Sequence, residues 1–149
     1  VTVIIVHNDS QERKCTSLNR NGFRFMLFSK RHRILVVDDV ADNLFLLQTV
    51  LEAEGYDIDT ALDASLALAM IEASPPDLLL LDVMMPDMSG YEVTKSIRQN
   101  DKLPFIPILL ITAYDEVSVV EGLEIGANGF IRKPIDFDLL LAKIREILS

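Results

Sequence analysis

The chain contains no tryptophan, one cysteine and two histidines. A lone Cys15 excludes an internal disulfide and a cysteine-based zinc site. His7 and His32 lie in or beside the first 32 residues and read as exposed, so no histidine–cysteine set exists for a soft metal. Long apolar runs are also missing. The longest, Leu78–Leu81 with its neighbours, falls far short of the ~20 residues that cross a bilayer, so no membrane insertion is expected. Basic residues are scarce, 14 against 23 acidic, giving a net charge of −9 and a pI near 4.6. Counterion release from nucleic acid needs a basic surface, so direct binding of DNA or RNA by the whole chain is not expected. No internal repeat is visible. What is abundant is hydrophobic: 50% of 149 residues, enough for one core and the length of one domain, which excludes wholesale disorder.

Charge divides the chain near Arg33. Residues 1–32 carry six basic and two acidic side chains; the remainder carries eight basic and 21 acidic. The first segment holds one candidate strand, Val1–Val6, then a polar stretch over His7–Asn21 and a short aromatic patch over Gly22–Phe28. It does not read as a convincing signal peptide: a basic leader, a full-length apolar stretch and a small-residue cleavage site are absent from it. Residues 1–32 are expected to be a basic extension outside the core fold, with 33–149 as the domain. Met26, seven residues before the first strong strand, would serve as a start. A sharper alternative pairs Val1–Val6 with a sheet edge in this chain or a neighbour. Weak attraction between basic extension and acidic body is also expected, within screening limits.

From Arg33 on, strands and helices alternate. Strands are expected at Ile34–Val37, Tyr56–Ala61, Leu78–Leu81, Ile106–Ile111 and Asn128–Ile131. Helices are expected over Asp42–Glu54 (closed by Gly55), from Asp63 to about Ala73, from Ser89 to about Asn100, over Asp115–Ile125 (ended by Gly126) and from Asp136 to Leu148. Several strands are apolar throughout, which suits parallel strands covered on both faces. Right-handed crossovers then give an α/β, doubly wound, five-stranded parallel sheet of flavodoxin-like order 2-1-3-4-5. Ligands of such sheets bind beyond the carboxyl ends of the strands.

The polar residues at those ends form a set. Asp38 and Asp39 follow the first strand, Asp82 ends the third, Thr112 the fourth, and Lys133 follows the fifth. Alone, each reads as a cap or a solvated side chain; together at one rim they point to a site. Two carboxylates ~5 Å apart repel by roughly 3 kcal/mol at an effective dielectric of 20. Three carboxylates and one lysine leave a local charge of −2, which a hard divalent cation with oxygen ligands offsets; Mg2+ is the natural choice. Beside such a cation a carboxylate is a usable nucleophile toward phosphorus. Asp82, on the central strand, is the best acceptor; Asp38 and Asp39 would hold the metal, and Thr112 and Lys133 the phosphoryl oxygens.

This pattern resembles the receiver domain of two-component response regulators over residues 33–149. The resemblance is carried by ILVVDD (34–39), LLLLDVMMPDMSG (78–90), ILLITA (108–113) and GANGFIRKP (126–134), with 43, 30 and 21 residues separating Asp39, Asp82, Thr112 and Lys133. It implies Asp82 as phosphoacceptor, Asp39 as direct Mg2+ ligand with Asp38 beside it through water, and the Met84 backbone carbonyl as a further ligand. It implies that Thr112 and Lys133 bind the phosphoryl group, and that Lys133-Pro134 is a cis-peptide candidate. Phe130 takes the place of an aromatic switch residue: Thr112 moves toward the phosphoryl group and Phe130 rotates into the vacated space, repacking the face of the last two helices and last strand. Phe130 lacks the hydroxyl that a tyrosine would bring. The resemblance further implies a signalling switch and not an enzyme, in the cytoplasm. Its partners would be a sensor histidine kinase or histidine phosphotransfer protein upstream and an unnamed protein target downstream, with homodimerisation left open.

Three further expectations follow. Met84 and Tyr114, two residues after Asp82 and Thr112, flank the path of the hydrolytic water in this family. Neither orients water with a carboxylate or amide, so self-dephosphorylation should be slow. On the first helix, Asp42, Gln48, Thr49 and Glu52 form a polar arc with Phe45 at its centre, opposite Leu46, Leu47, Val50 and Leu51. Phe45 is therefore a partner-docking candidate. The sequence given shows no output domain after Ser149, so the effect is expected to pass through protein contacts, unless the chain is a piece of something larger. The rival from another class is a Mg2+-dependent phosphatase with an aspartyl nucleophile, but Asp82-Val83-Met84 lacks its second acid. A flavin-binding module would need a glycine- and hydroxyl-rich cradle where Asp38–Asn43 is acidic. A purely structural domain leaves the acidic rim unexplained.

Overall fold

The computed structural model describes residues 4–8, 12–18, 24–113 and 116–149, with side chains described for 31–113 and 120–149. Val1–Val3, Tyr114 and Asp115, which entered the expectations above, lie outside the described residues.

Residues Ile4–Asn8 (β1), Glu12–Leu18 (β2) and Arg24–Lys30 (β3) form an antiparallel three-stranded sheet in chain order. β1 pairs with β2 (Ile4 opposite Ser17) and β2 with β3 (Glu12 opposite Lys30). The sequence pattern had offered one strand here. Arg31 and Arg33 then fasten the chain to the second sheet, each 3.1 Å from a carboxylate, Asp57 and Asp59 respectively.

The second sheet is parallel: Arg33–Val37 (β4), Asp57–Ala61 (β5), Leu78–Asp82 (β6), Ile108–Thr112 (β7) and Gly129–Arg132 (β8), in the order β5-β4-β6-β7-β8. Numbered within this unit, that is 2-1-3-4-5, the expected doubly wound arrangement. Helices Ala41–Ala53 (α1), Ala64–Ala73 (α2), Gly90–Gln99 (α3), Glu116–Glu124 (α4) and Phe137–Leu148 (α5) connect the strands.

The apolar runs split by alternation. Leu35, Val37, Leu79, Leu81, Ile108 and Leu110 face a core shared with α2 and α3. Ile34, Val36, Leu78, Leu80, Leu109 and Ile111 face α1 and α5. Both faces of β4, β6 and β7 are buried, which is why these strands carry apolar runs with no polar alternation, whereas the edge strand β5 (DIDTA) is half-buried and polar at alternate positions.

The helix stops and starts follow local chemistry. Asp63 caps α2 by accepting from Leu66 N–H at 2.7 Å, and Asp136 caps α5 through Leu139 N–H at 3.2 Å. Ser89 and Glu92 form a reciprocal capping box on α3. Gly55 and Gly126 take φ of +93° and +107° beyond α1 and α4, conformations that L side chains resist. The Lys133–Pro134 peptide is cis.

α1 sits differently from the helical-wheel expectation. Leu44, Leu47 and Leu51 are buried, whereas Leu46 is 50% exposed and Val50 only partly buried. The helix offers the sheet an i, i+3, i+7 stripe, and Leu46 rolls out beside the loop before α5. Among the described residues, no helix is long and apolar enough to cross a membrane.

Candidate functional site

Sheet register assembles the rim. Val37 lies opposite Leu81 and Asp82 opposite Ile111, so Asp38, Asp82 and Thr112 end three adjacent strands. Thr112 lies opposite Arg132, and Lys133 N–H donates to the Thr112 carbonyl at 2.9 Å. Residues 95 positions apart in sequence thus meet because each strand stops one residue after its apolar run.

Asp38, Asp39 and Asp82 each offer a carboxylate oxygen within 4.8 Å of the others. Asp38 and Asp82 are 2% exposed, while Asp39 is open to solvent. Lys133 Nζ stands 3.3 Å from Asp82 Oδ1, and the Met84 N–H donates to the same oxygen at 3.3 Å. Both contacts fall on the same oxygen of Asp82, which fixes the orientation of its carboxyl group. Burial raises the Asp82 pKa, and the Asp38 charge raises it further; Lys133 and the Met84 amide pull it back only in part.

This donor set suits a hard cation. It is all oxygen, it carries more negative than positive charge, and two of its members are removed from water, where their mutual repulsion is least screened. Asp38, Asp39 and Asp82 could hold such an ion.

The other expected residues fall as follows. Thr112 is 1% exposed at the end of β7. By alternation it shares a sheet face with Leu110, which lies opposite Phe130. Phe130 is 9% exposed and its ring is already inside the α2–α3 core. A Cβ on Gly122 would stand 2.5 Å from the Phe130 Cζ, so the ring is seated against bare helix backbone. Met84 is 58% exposed at the rim. Phe45 is 72% exposed on α1, and beside that helix a groove of about 220 Å³ runs from Asp38 and Asn43 past Leu46 to Lys133 and Phe137. A larger hollow, about 440 Å³, lies by Arg31, Arg33 and Tyr56 at the opposite ends of β4 and β5. Its size does not make it the site, because the converging carboxylates are at the other rim.

Three contributors escaped the sequence reading. Asn43 donates its amide to Asp38 Oδ2 at 3.2 Å. Asp87 accepts from Ala64 N–H at 3.2 Å, tying the loop after β6 to the start of α2. Gly90 lies so close to the β6 end that a Cβ would stand 2.7 Å from the Asp82 carbonyl oxygen. The glycine at the end of MPDMSG was the one available signal for this last approach.

Comparison with known proteins gives a consistent result. The family described as response regulator receiver domain matches residues 34–145. Response regulator PleD of Caulobacter vibrioides is 46% identical over 116 residues, 77% of this chain and 26% of that protein. The alkaline phosphatase synthesis transcriptional regulatory protein PhoP of Bacillus subtilis is 47% identical over 117 residues, 78% of this chain and 48% of that protein. The chain therefore spans between about a quarter and a half of these relatives. Among solved structures, a putative response regulator from Chloroflexus aurantiacus superposes with a TM-score of 0.75 at 36% identity, covering 80% of this chain and 98% of that one. Chemotaxis protein CheY4 of Vibrio cholerae gives 0.74 at 32%, covering 79% and 99%.

Proposed function

The chain belongs to the response-regulator receiver family, and on that premise we propose that residues 33–149 take a phosphoryl group onto Asp82 from a histidine kinase or histidine phosphotransfer protein. The observation that carries this reading is the convergence of three carboxylates within 4.8 Å, with Lys133 3.3 Å from the central one. Asp82 Oδ2 attacks phosphorus, the bond from phosphorus to the donor nitrogen breaks, and the donor imidazole leaves. Lys133 holds a transferred oxygen, and the Thr112 hydroxyl bonds another. Asp38, Asp39, Asp82 and the Met84 carbonyl would hold Mg2+, which when bound supplies positive charge against the phosphoryl oxygens.

The response is a change of packing. Thr112 and Phe130 share one face of the sheet, so withdrawal of Thr112 toward the phosphoryl group alters the space around the Phe130 ring. The face of α4, β8 and α5 then changes for a downstream protein or a second copy of the chain. Phe45 is exposed on α1, and the groove beside that helix is lined by Asp38 and Lys133, which supports α1 as the surface that meets the phosphodonor. Phe45→Ala should slow transfer from the cognate kinase without changing phosphorylation by a small donor; an unchanged kinase rate removes Phe45 from the surface. Receiver domains are mainly signalling switches, and we expect one phosphoryl group per chain in the cytoplasm and not turnover of phosphate esters.

The central test is intact mass after treatment with Mg2+ and acetyl phosphate. One added phosphoryl group on the parent and none on Asp82→Asn is expected. Addition to both, or to neither, overturns the assignment of Asp82.

A further inference from the structure

Asp38 is a buried carboxylate with both oxygens engaged, and neither partner is a cation. Its Oδ1 accepts from the Val40 N–H at 2.9 Å, and its Oδ2 from the Asn43 side-chain amide at 3.2 Å. Two bonds to opposite oxygens fix the rotation of the carboxyl plane, while each oxygen keeps a lone pair. The choice of a neutral donor has a consequence. A lysine or arginine at position 43 would stabilise the Asp38 charge equally well but would cancel part of the −2 that attracts a cation. An amide stabilises the anion and leaves the charge of the rim intact.

Asn43 also occupies an unusual place in α1. The helix begins after Val40, which has no side-chain cap bond and whose residue type caps poorly. Asn43, in the first turn, reaches back instead to the end of β4, so one contact orients Asp38 and ties down the helix start. Asn43 lines the groove together with Asp38 and Lys133, which places it at the rim.

We propose that Asn43 is a positioning residue for the Asp38–Asp39–Asp82 cation site, setting divalent-ion affinity by holding Asp38 in one orientation. The inference rests on the receiver reading above and adds to it a residue that touches neither the ion nor the phosphoryl group. Outer partners of metal ligands commonly control affinity by about 10- to 100-fold. Asp38 is one ligand among several here, so about tenfold is expected. Linkage makes the effect reciprocal: an ion that draws on Asp38 also acts on the first turn of α1.

The test is titration calorimetry with Mg2+ alone, with melting temperatures in EDTA and in saturating Mg2+. Asn43→Leu keeps the size and removes the donor; it should weaken Mg2+ about tenfold. Asn43→Gln keeps an amide and should stay within about threefold of the parent. If Asn43→Leu does not fold, Asn43→Ser, whose hydroxyl falls short of Asp38, takes its place with the same expectation. A merely structural role would lower both melting temperatures equally and leave Mg2+ affinity unchanged, and that result overturns the proposal. A parent protein that itself binds no Mg2+ sinks the cation-site reading instead, so the two failures are distinct.

Discussion

Asp82 is charged where its surroundings oppose charge, and the cost can be read as stability. Its carboxylate lies within 4.8 Å of that of Asp38, which corresponds to about 3.5 kcal/mol of repulsion at an effective dielectric of 20. Lys133 at 3.3 Å returns about 5 kcal/mol on the same scale, before discounting for a side chain one-third exposed to solvent. The two nearly offset, and the desolvation of a 2%-exposed carboxylate remains. Asp82→Asn keeps the shape and an acceptor for the Met84 N–H while removing the charge. Without divalent ions it should therefore stabilise the fold by about 1–2 kcal/mol, or raise Tm by about 3–6 °C.

The pH dependence fixes the cause. Folding raises the Asp82 pKa above its ordinary 3.8, so the folded state binds the proton more tightly than the unfolded one. The penalty is complete above the raised value, shrinks as pH falls through it and is gone below 3.8. Thermal unfolding of parent and Asp82→Asn in EDTA, from pH 8 downward, should give two curves that converge on acidification. Mg2+ at 100 times its Kd should lift the parent by about 2.7 kcal/mol and the variant by less. A variant less stable than the parent at pH 8, or a gap that does not close with acid, refutes the reasoning.

Other substitutions probe the packing. Gly122→Ala places a methyl 2.5 Å from the Phe130 Cζ and 3.0 Å from Leu110 and Tyr91, and should lower stability by about 1–3 kcal/mol, although alanine is the better helix former; in a Phe130→Ala background the same change should cost less, and additivity in denaturant melts would disprove the seat. Gly90→Ala drives a methyl onto the Asp82 backbone, where nothing flexible can yield; acetyl phosphate labelling should fall at least tenfold in whatever protein remains folded, and normal labelling would show that the approach is loose. Met84 presents a thioether at the open rim, a group that cannot orient a water as a carboxylate or amide would. The aspartyl phosphate should persist for far longer than seconds and decay faster in Met84→Glu; phosphate release on a scale of seconds by the parent would count against this.

How far the sequence reveals this molecule depends on which forces leave a trace in it. The three inner strands β4, β6 and β7 were visible because strands covered on both faces are apolar nearly throughout, and Leu78–Leu81 or Ile108–Ile111 admit few other roles. Their polar terminators were visible for the same reason: Asp38, Asp82 and Thr112 stand out against unbroken hydrophobic runs. β3 left only the short aromatic patch ending at Phe28, and β2 left no such trace. Glu12–Leu18 is almost wholly polar, and its pairing is a matter of backbone hydrogen bonds, which any sequence can supply.

α1 marks a middle case. Its periodicity declared a helix but fixed its rotation only to within about one residue. In the fold Leu44 turns inward, and Leu46 turns outward to line the groove beside Lys133–Phe137. The least legible features are distances between backbone and side chain. That Phe130 needs a glycine at 122, or that an amide five residues after Asp38 returns to hold it, follows from the spacing of packed layers and not from any pattern along the chain. On the reading proposed above, those same contacts would set how tightly a cation is held and how freely an aromatic ring turns. Two receivers with identical rim residues can therefore differ in affinity and in switching. The motif points to the reaction proposed for the rim, and Asn43 and Gly122 are where this chain would set its terms.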